Sequence, residues 1–444
     1  MKKLPTPPSI QDLMVADPSV LARVVGRGIG AVVQGRYLHW EKLRHKSPPE
    51  GLNPEQWWLG IKLARMGQFR TLPLHDTAGK PFIYMLPDPV LEGLHRIDSM
   101  ASGFIGSNDP LASEEHRDRF VFNSLVEEAI TSSQLEGAST TRQVAVEMLR
   151  AGRSPKDHSE RMILNNFMAM RSIQQLSDRP MSLERLLELH RILTLETLDD
   201  PTAAGRLQRE GEHRVQVFDT HTHDLLHTPP PASVLPERMA QLVAFANGQG
   251  DGTFVHPVIR AIVLHFWIGH DHPFIDGNGR TARALFYWSM LRSRYWLFSF
   301  ISISKLLKKG SDRYKRAYLE SESDDNDLTY FIVHQVETIL TALEELQGYL
   351  AQKGAEVRAV EARLRTSRYN HRQLALLGHA LRHPGQRYTL RGHQTSQGIA
   401  YATARSDIFA LAEDGLLEQR RVGGKTFEFF APDNLQKRLD QPGE

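Results

Sequence analysis

The sequence contains no cysteine in 444 residues. That removes a disulfide scaffold, a thiolate nucleophile and a cysteine-ligated zinc site. Net charge is also scarce. At +2 the chain as a whole has no strong pull on nucleic acid or an anionic membrane, so such binding would need a local patch. Long apolar runs are missing too: the longest, around Ala261 to Ile268 and Trp296 to Ile303, fall far short of the roughly 20 residues that span a bilayer. The basic start Met1-Lys2-Lys3 leads into prolines and polar residues, not into the apolar core of a signal peptide. No internal repeat or low-complexity tract is present. The expectation is a soluble cytoplasmic protein of two or three domains with no membrane contact.

What the chain does have is helical patterning over about 112–350. Phe120 to Gln134 carries Val121, Leu125, Ala129 and Ile130 close to one face. Thr140 and Gln143 have the spacing of a capping box, and Ser182 is a suitable N-cap for a stripe of Leu183, Leu186, Leu187, His190 and Leu193. Arg214 to Thr222, closed by Thr228-Pro229-Pro230-Pro231, reads as a surface hairpin or flap. Pro257 suits the first turn of a helix running to His270, and another helix follows from Thr281 to Leu291. Leu328 to Glu361 reads as one or two long helices. Before all this, residues 1 to about 110 hold an aromatic cluster (Tyr37, Trp40, Trp57, Trp58) and an extended piece at Pro81 to Leu86, with no visible chemistry.

The chemistry concentrates in His272-Pro273-Phe274-Ile275-Asp276-Gly277-Asn278-Gly279-Arg280-Thr281-Ala282-Arg283. Gly-Asn-Gly between two helical patterns is a tight turn that presents backbone N–H groups to one point, and the next helix adds its positive N-terminus. Arg280 and Arg283, three apart, have the spacing to share a side and meet a polyphosphate. Asp276 is a hard ligand suited to Mg²⁺, and His272 a base for an incoming hydroxyl. Taken singly, each feature is commonplace; together and in this order they point to phosphate chemistry.

This segment resembles the signature of the Fic family, H-x-F-x-D/E-G-N-G-R-x-x-R, at every specified position. The resemblance extends over roughly 115–300 and includes Leu189 to Thr194, Gly205-Arg206 and the proline run before the next helix. It implies a helical domain that transfers AMP from ATP, with Mg²⁺, to a Ser, Thr or Tyr hydroxyl of a protein, which could be another copy of itself. Carried over by position, His272 would be the general base and Asp276 the Mg²⁺ ligand. Asn278, with the Gly277 and Gly279 backbone, would cradle the phosphates. Arg280 and Arg283 would hold the outer ones, Phe274 would anchor the loop, and the flap at about 214–222 would hold the target as an added strand.

Ser132-Ser133-Gln134-Leu135-Glu136-Gly137 matches the inhibitory pattern S/T-x-x-x-E-G/N of one class of Fic proteins. Ser132 and Glu136 would then be regulatory, with the helix ending at Gly137 and the Glu136 carboxylate taking Arg283 from the γ-phosphate. Some relatives use the equivalent glutamate in removing AMP, so a reverse activity stays open.

Residues 370–432 read as helices followed by a hairpin, with Ile408, Leu411 and Ala412 on one face and Gly423-Gly424 at the turn. They resemble a winged helix-turn-helix. Arg391, Arg405, Arg420, Arg421 and Lys425 could meet DNA phosphates, while Asp407, Glu413, Asp414, Glu418 and Glu428 dilute that charge, so DNA and protein contact both stay open. The expected class is mainly α: a helical Fic-type domain with a small β-hairpin flap, plus a C-terminal α+β winged helix. The expected division is a packing region over 1–110, a catalytic domain over 111–350 with its inhibitory helix at about 120–137, a connector over 351–369 and the winged helix over 370–444.

Other readings remain alongside. A DNA-binding regulator could use the Fic-like part only to sense nucleotide, though an intact His272 argues against it. A donor other than ATP is open because the motif recognises phosphates, and so is a homodimer. A metal-dependent phosphohydrolase would rest on His270-Asp271 with His213, His221, His223, His227 and His265, but would leave Gly277 to Arg283 unexplained.

Overall fold

The computed structural model describes residues 3–101, 114–219, 222–249, 252–365, 369–382, 386–421, 427–432 and 434–440. It is mainly helical and divides into two units, one from residues 1–103 and 123–343, the other from 104–122 and 344–444. No helix among the described residues is long and apolar enough to cross a membrane.

The first unit opens with α1 (Ile10–Ala16), α2 (Val20–Val25), α3 (Trp40–Leu43) and α4 (Pro54–Met66). The antiparallel pair β1 (Arg70–His75) and β2 (Pro81–Tyr84) and then α5 (Asp88–Ala101) follow. Asn53 and Gln56 form a capping box at the start of α4, with Pro54 in the first turn. Trp40, Trp57 and Trp58 pack with Leu38, Leu43 and Ile61, whereas Tyr37 leaves that cluster and lies against Met85 and Tyr330.

These residues share the core of the helical region. The reason is a buried polar network between segments far apart in sequence. Lys62 Nζ donates to Asp324 Oδ1 at 2.7 Å, Tyr37 Oη to Asp327 Oδ2 at 2.5 Å, and Arg65 to Tyr330 Oη at 2.8 Å. Arg65 is fully enclosed and also donates to the Ala31 and Leu38 carbonyls. A buried charge this well partnered is costly to break, so the network ties the N-terminal segment in place.

The unit continues through α6 (Glu114–Leu135), α7 (Arg142–Ala151), α8 (His158–Leu176), α9 (Leu183–Thr194), β3 (Val217–Phe218), β4 (Leu225–His227) and α10 (Leu235–Ala246). Next come α11 (Pro257–Asp271), α12 (Asn278–Arg292), α13 (Ile303–Lys309), α14 (Ser311–Ser323) and α15 (Thr329–Arg365), a single helix whose later part falls in the second unit. Nearly every residue of α11 and α12 is buried, so this pair is the centre of the unit. Ser182 caps α9 as expected, but α7 is capped by Thr141, whose hydroxyl accepts from the Val144 N–H. The neighbouring Thr140 is buried instead, because the chain turns inward one residue earlier than the capping-box spacing suggests. In the α9 stripe, Leu189 is buried in place of Leu187. The flap forms as the antiparallel β3–β4 pair, with Thr220 and His221 outside the described residues.

The second unit contains α16 (His371–Arg382), β5 (Arg387–Tyr388), α17 (Leu390–Gln397), α18 (Tyr401–Glu413), β6 (Glu418–Arg421), β7 (Phe427–Phe430) and α19 (Leu435–Asp440). The sheet order is β5-β7-β6, all antiparallel, over a core that includes Leu377, Ile408, Leu411 and Phe429. Arg391, Arg405, Arg420 and Arg421 are exposed, while residues 422–426, with Lys425 and the Gly-Gly turn, lie outside the described residues. Asp407 does not dilute the surface charge as expected. It is buried, and its carboxylate accepts from Arg372 and Asn370, which ties α18 to the start of α16.

Candidate active site

The site forms where α11 ends and α12 begins. His272 follows α11 in the left-handed conformation, φ +45°, a strained choice for a residue with a side chain. Three contacts hold it there. Arg214 donates to the Asp271 and His272 carbonyls at 2.6 and 2.8 Å, closing the open end of the helix. Asp271 is gripped by Arg238 through both carboxylate oxygens and accepts from Trp267 Nε1. The His272 ring places Nδ1 2.6 Å from the Gly269 carbonyl.

That last contact decides the chemistry of the ring. A carbonyl only accepts, so Nδ1 carries the hydrogen and Nε2 keeps its lone pair. Burial pushes the His272 pKa down, with the Gly269 hydrogen bond partly opposing it. Near neutral pH the ring is an unprotonated base with its lone pair on a defined atom.

The loop between the helices is pinned from below. Phe274 is buried and stacks on His190 at 3.8 Å between centroids and 6° between planes. His190 accepts from the Gly205 N–H through Nδ1 at 3.0 Å and donates through Nε2 to the Asp276 carbonyl at 2.9 Å. Burial lowers its pKa to about 4, so it serves as a neutral two-ended strut. The Asn278 amide shapes the turn, accepting from the Phe274 N–H at 2.9 Å and donating to the Phe274 carbonyl at 2.8 Å.

At the turn, Gly277 has φ +82°, and a Cβ there would stand 2.7 Å from Thr194 Cγ2, so glycine is required on both counts. No side chain caps the N-terminus of α12, which leaves its positive end open over the loop.

At about 100° per residue, a spacing of three leaves the two arginines about 60° apart on α12, and they reach different partners. Arg280 donates to the Leu193 carbonyl of α9 at 2.9 Å and to Asp276 Oδ2 at 3.0 Å. It is fully buried, its Nε has no acceptor, and burial lowers its pKa with Asp276 only partly compensating. An enclosed cation with one half-exposed carboxylate partner is short of negative charge.

Arg283 turns instead to the end of α6. Its Nε donates to Ser132 Oγ at 2.8 Å, and Nη2 donates to the Ser132 carbonyl and to Glu136 Oε1, both at 2.9 Å. Burial would lower the Arg283 pKa, but Glu136, Tyr314 and Glu128 together more than offset it. Glu136 follows the last residue of α6, and Gly137, at φ +96°, turns the chain away. The same carboxylate crowds the start of α12: a Cβ on Gly279 would fall 2.1 Å from Glu136 Oε1. Further back, Glu128 is buried and accepts from Tyr287 Oη, the Ser302 hydroxyl and the Ser304 N–H and hydroxyl. It anchors α6 to α12 and to the start of α13.

His272, Asp276 to Arg280, Arg283, Ser132 and Glu136 are thus gathered at one place. His190, Arg214, Arg238 and Glu128 are additions. His190 was visible in sequence only as part of an apolar stripe, and nothing near Arg214, Arg238 or Glu128 marks them as supports. Of the histidines behind the phosphohydrolase reading, His227 and His270 come together beside Glu322, whereas His265 packs on Tyr314, His213 and His223 are exposed, His221 lies outside the described residues, and the Asp271 carboxylate is taken up by Arg238.

Residues 180–290 match the model of the Fic/DOC family. The chain carries a Fic domain. Curated proteins named protein adenylyltransferase Fic are similar to it. The one from Drosophila melanogaster is 28% identical over 217 residues, which is 48% of this chain and 40% of that protein. The one from Drosophila grimshawi is 31% identical over 160 residues, 36% of this chain and 30% of the relative. The matches thus span well under half the length of these relatives. A solved Fic family protein from Desulfovibrio desulfuricans G20 superimposes with a TM-score of 0.52 at 18% identity, covering 79% of this chain and 98% of that one. At that identity the likeness concerns the fold alone. The Fic domain lies wholly within the first unit, from just before α9 to near the end of α12.

Proposed function

We propose that this site transfers AMP from ATP to a hydroxyl side chain of a protein and that Glu136 holds it in a restrained state. The observation that carries the reading is the His272 ring, with Nδ1 tied to Gly269 and its Nε2 lone pair beside an uncapped helix N-terminus and two buried arginines. His272 Nε2 takes the proton of the attacking hydroxyl. That oxygen bonds to the α-phosphorus, the bond from the α-phosphorus to the bridging oxygen breaks, and pyrophosphate leaves. The backbone N–H groups opening α12 and Arg280 hold the phosphates, and Arg283 meets the γ-phosphate once released from Glu136.

Asp276 fits a Mg²⁺ ligand: its side chain is about half exposed (51%), with Oδ2 steadied by Arg280. Bound there, Mg²⁺ would neutralise phosphate charge. The flap suits a target strand, because Val215, Phe218 and Leu225 expose apolar surface along it (43, 48 and 47%). The second unit reads as a winged helix-turn-helix, supported by its order of helix, strand, two helices and two strands.

The test compares wild type, Glu136→Gly and His272→Ala/Glu136→Gly with Mg²⁺ and ATP labelled at the α- or the γ-phosphate. Protein-bound α-label without γ-label, stronger in Glu136→Gly and absent without His272, is expected. Label from the γ-phosphate, or α-label that persists without His272, would overturn the reading.

A further inference from the structure

Two histidines that this reaction does not use, His227 and His270, converge with Glu322. One ligand atom from each of the three lies within 4.8 Å of the others. His227 ends β4 of the flap, His270 belongs to the last turn of α11, and Glu322 to the last turn of α14. Their side chains are 10, 4 and 20% exposed.

The groups behind these residues prepare them as ligands. His270 Nδ1 lies 3.1 Å from Asp271 Oδ1, a carboxylate already ion-paired with Arg238. Nδ1 therefore carries the hydrogen, which leaves Nε2 as the lone-pair atom. His227 Nε2 lies 2.8 Å from the His270 carbonyl, which only accepts, so Nε2 carries the hydrogen and Nδ1 is free to ligate. That Nδ1 faces Glu322 Oε2 at 2.8 Å. Each imidazole thus donates its remote N–H to an oxygen, the device by which metal-bound histidines are oriented. Two imidazole nitrogens and one carboxylate, with a fourth position left to water, suit Zn²⁺ and not a hard cation such as Mg²⁺.

We infer that His227, His270 and Glu322 bind a cation of the Zn²⁺ class, which staples the β3–β4 flap to α11 and α14. Binding replaces the hydrogen bond between His227 Nδ1 and Glu322 Oε2 with metal–nitrogen and metal–oxygen bonds, and the hydrogen of that bond leaves to solvent as a proton. Bond lengths of about 2.0–2.2 Å set tetrahedral ligand atoms about 3.3–3.6 Å apart, so no pair has to close by more than about 1.5 Å. The functional consequence, a flap fixed for or against a target strand, rests on the proposed role of the flap. The metal site does not.

The full chain, stripped with a chelator and held in excess Mg²⁺, is titrated with Zn²⁺ by calorimetry and with Co²⁺ by its d–d absorption. The expected result is one equivalent of Zn²⁺ per chain, with affinity at least about tenfold weaker in Glu322→Gln and His227→Ala and unchanged in His223→Ala, an exposed flap histidine. Zn²⁺ should also slow amide exchange at Leu225 to His227. No saturable binding by wild type, or wild-type affinity in the two ligand variants, overturns the site. If His227→Ala fails to fold, the near-isosteric Glu322→Gln decides. Binding with the expected ligand dependence but unchanged exchange overturns the staple. Neither readout involves ATP or a target, so failure here is distinct from failure of AMP transfer.

Discussion

Glu128 and Glu136, near the end of one helix, meet opposite surroundings. Glu128 is sealed in and saturated by four donors from Tyr287, Ser302 and Ser304. Glu136 is 29% exposed, stands past the last helical turn and is ion-paired with Arg283. The difference teaches how a restraint can be firm and still releasable. The body of the helix is anchored by a carboxylate that cannot be withdrawn without stranding buried donors. Its tip carries a carboxylate with a route to solvent and a partner that a phosphate could take over.

The comparison breaks most visibly in activity. Replacing Glu136 with Gly should raise the initial rate of α-label transfer by about 10- to 30-fold, the factor for losing about 1.4–2 kcal/mol in a partly hydrated Arg–carboxylate pair. A rise below about fivefold would place the pair among ordinary surface contacts.

Stability should show the reverse ranking. Glu128→Ala strands the Tyr287, Ser302 and Ser304 donors and should cost about 3–5 kcal/mol in urea unfolding. Glu136→Gly should cost less than about 2 kcal/mol, since Arg283 keeps both Ser132 acceptors and the lost carboxylate was partly hydrated. Equal costs would erase the distinction between anchor and tip.

Ser132→Ala sharpens it further. The Ser132 hydroxyl accepts from Arg283 Nε, so its loss should cost about 1 kcal/mol and raise transfer about threefold, leaving Glu136 in place. Transfer as fast as in Glu136→Gly would move the restraint from the carboxylate to the serine.

Acid probes the buried histidines of the first unit. Burial depresses His39 and His334 from 6.5 to about 4. The unfolded chain takes up their protons first, so this stability is fully present above about pH 6.5 and lost as pH falls toward 4. Each should cost about 1 kcal/mol by pH 5.5, read as a falling urea midpoint, and His39→Gln should flatten that fall.

Sequence reasoning reached the parts of the site carried by contiguous residues. His272 to Arg283 is one uninterrupted stretch whose loop geometry follows from its glycines, and Ser132 to Gly137 announces both a helix end and a carboxylate. What it missed depends on partners far away in the chain. The Asn278 amide is spent on Phe274 only because Phe274 is locked under His190, and Arg280 and Arg283 part because α9 and α6 flank α12 on different sides. The partners of the first 103 residues were invisible for the same reason: Lys62 and Tyr37 find Asp324 and Asp327 only in the folded unit. The cap of α7 at Thr141 was missed by one position, since adjacent threonines are chemically alike and burial decides between them.

The most direct test of the restraint is calorimetric binding of Mg²⁺-ATP and Mg²⁺-ADP to wild type, Glu136→Gly and Glu136→Gly/Arg283→Ala. If Glu136 withholds Arg283 from the γ-phosphate, wild type should bind ATP and ADP alike. Glu136→Gly should then favour ATP by at least about tenfold, and the double variant should lose that preference. A wild type that already prefers ATP to the same degree, or a Glu136→Gly that gains no preference, would contradict the account.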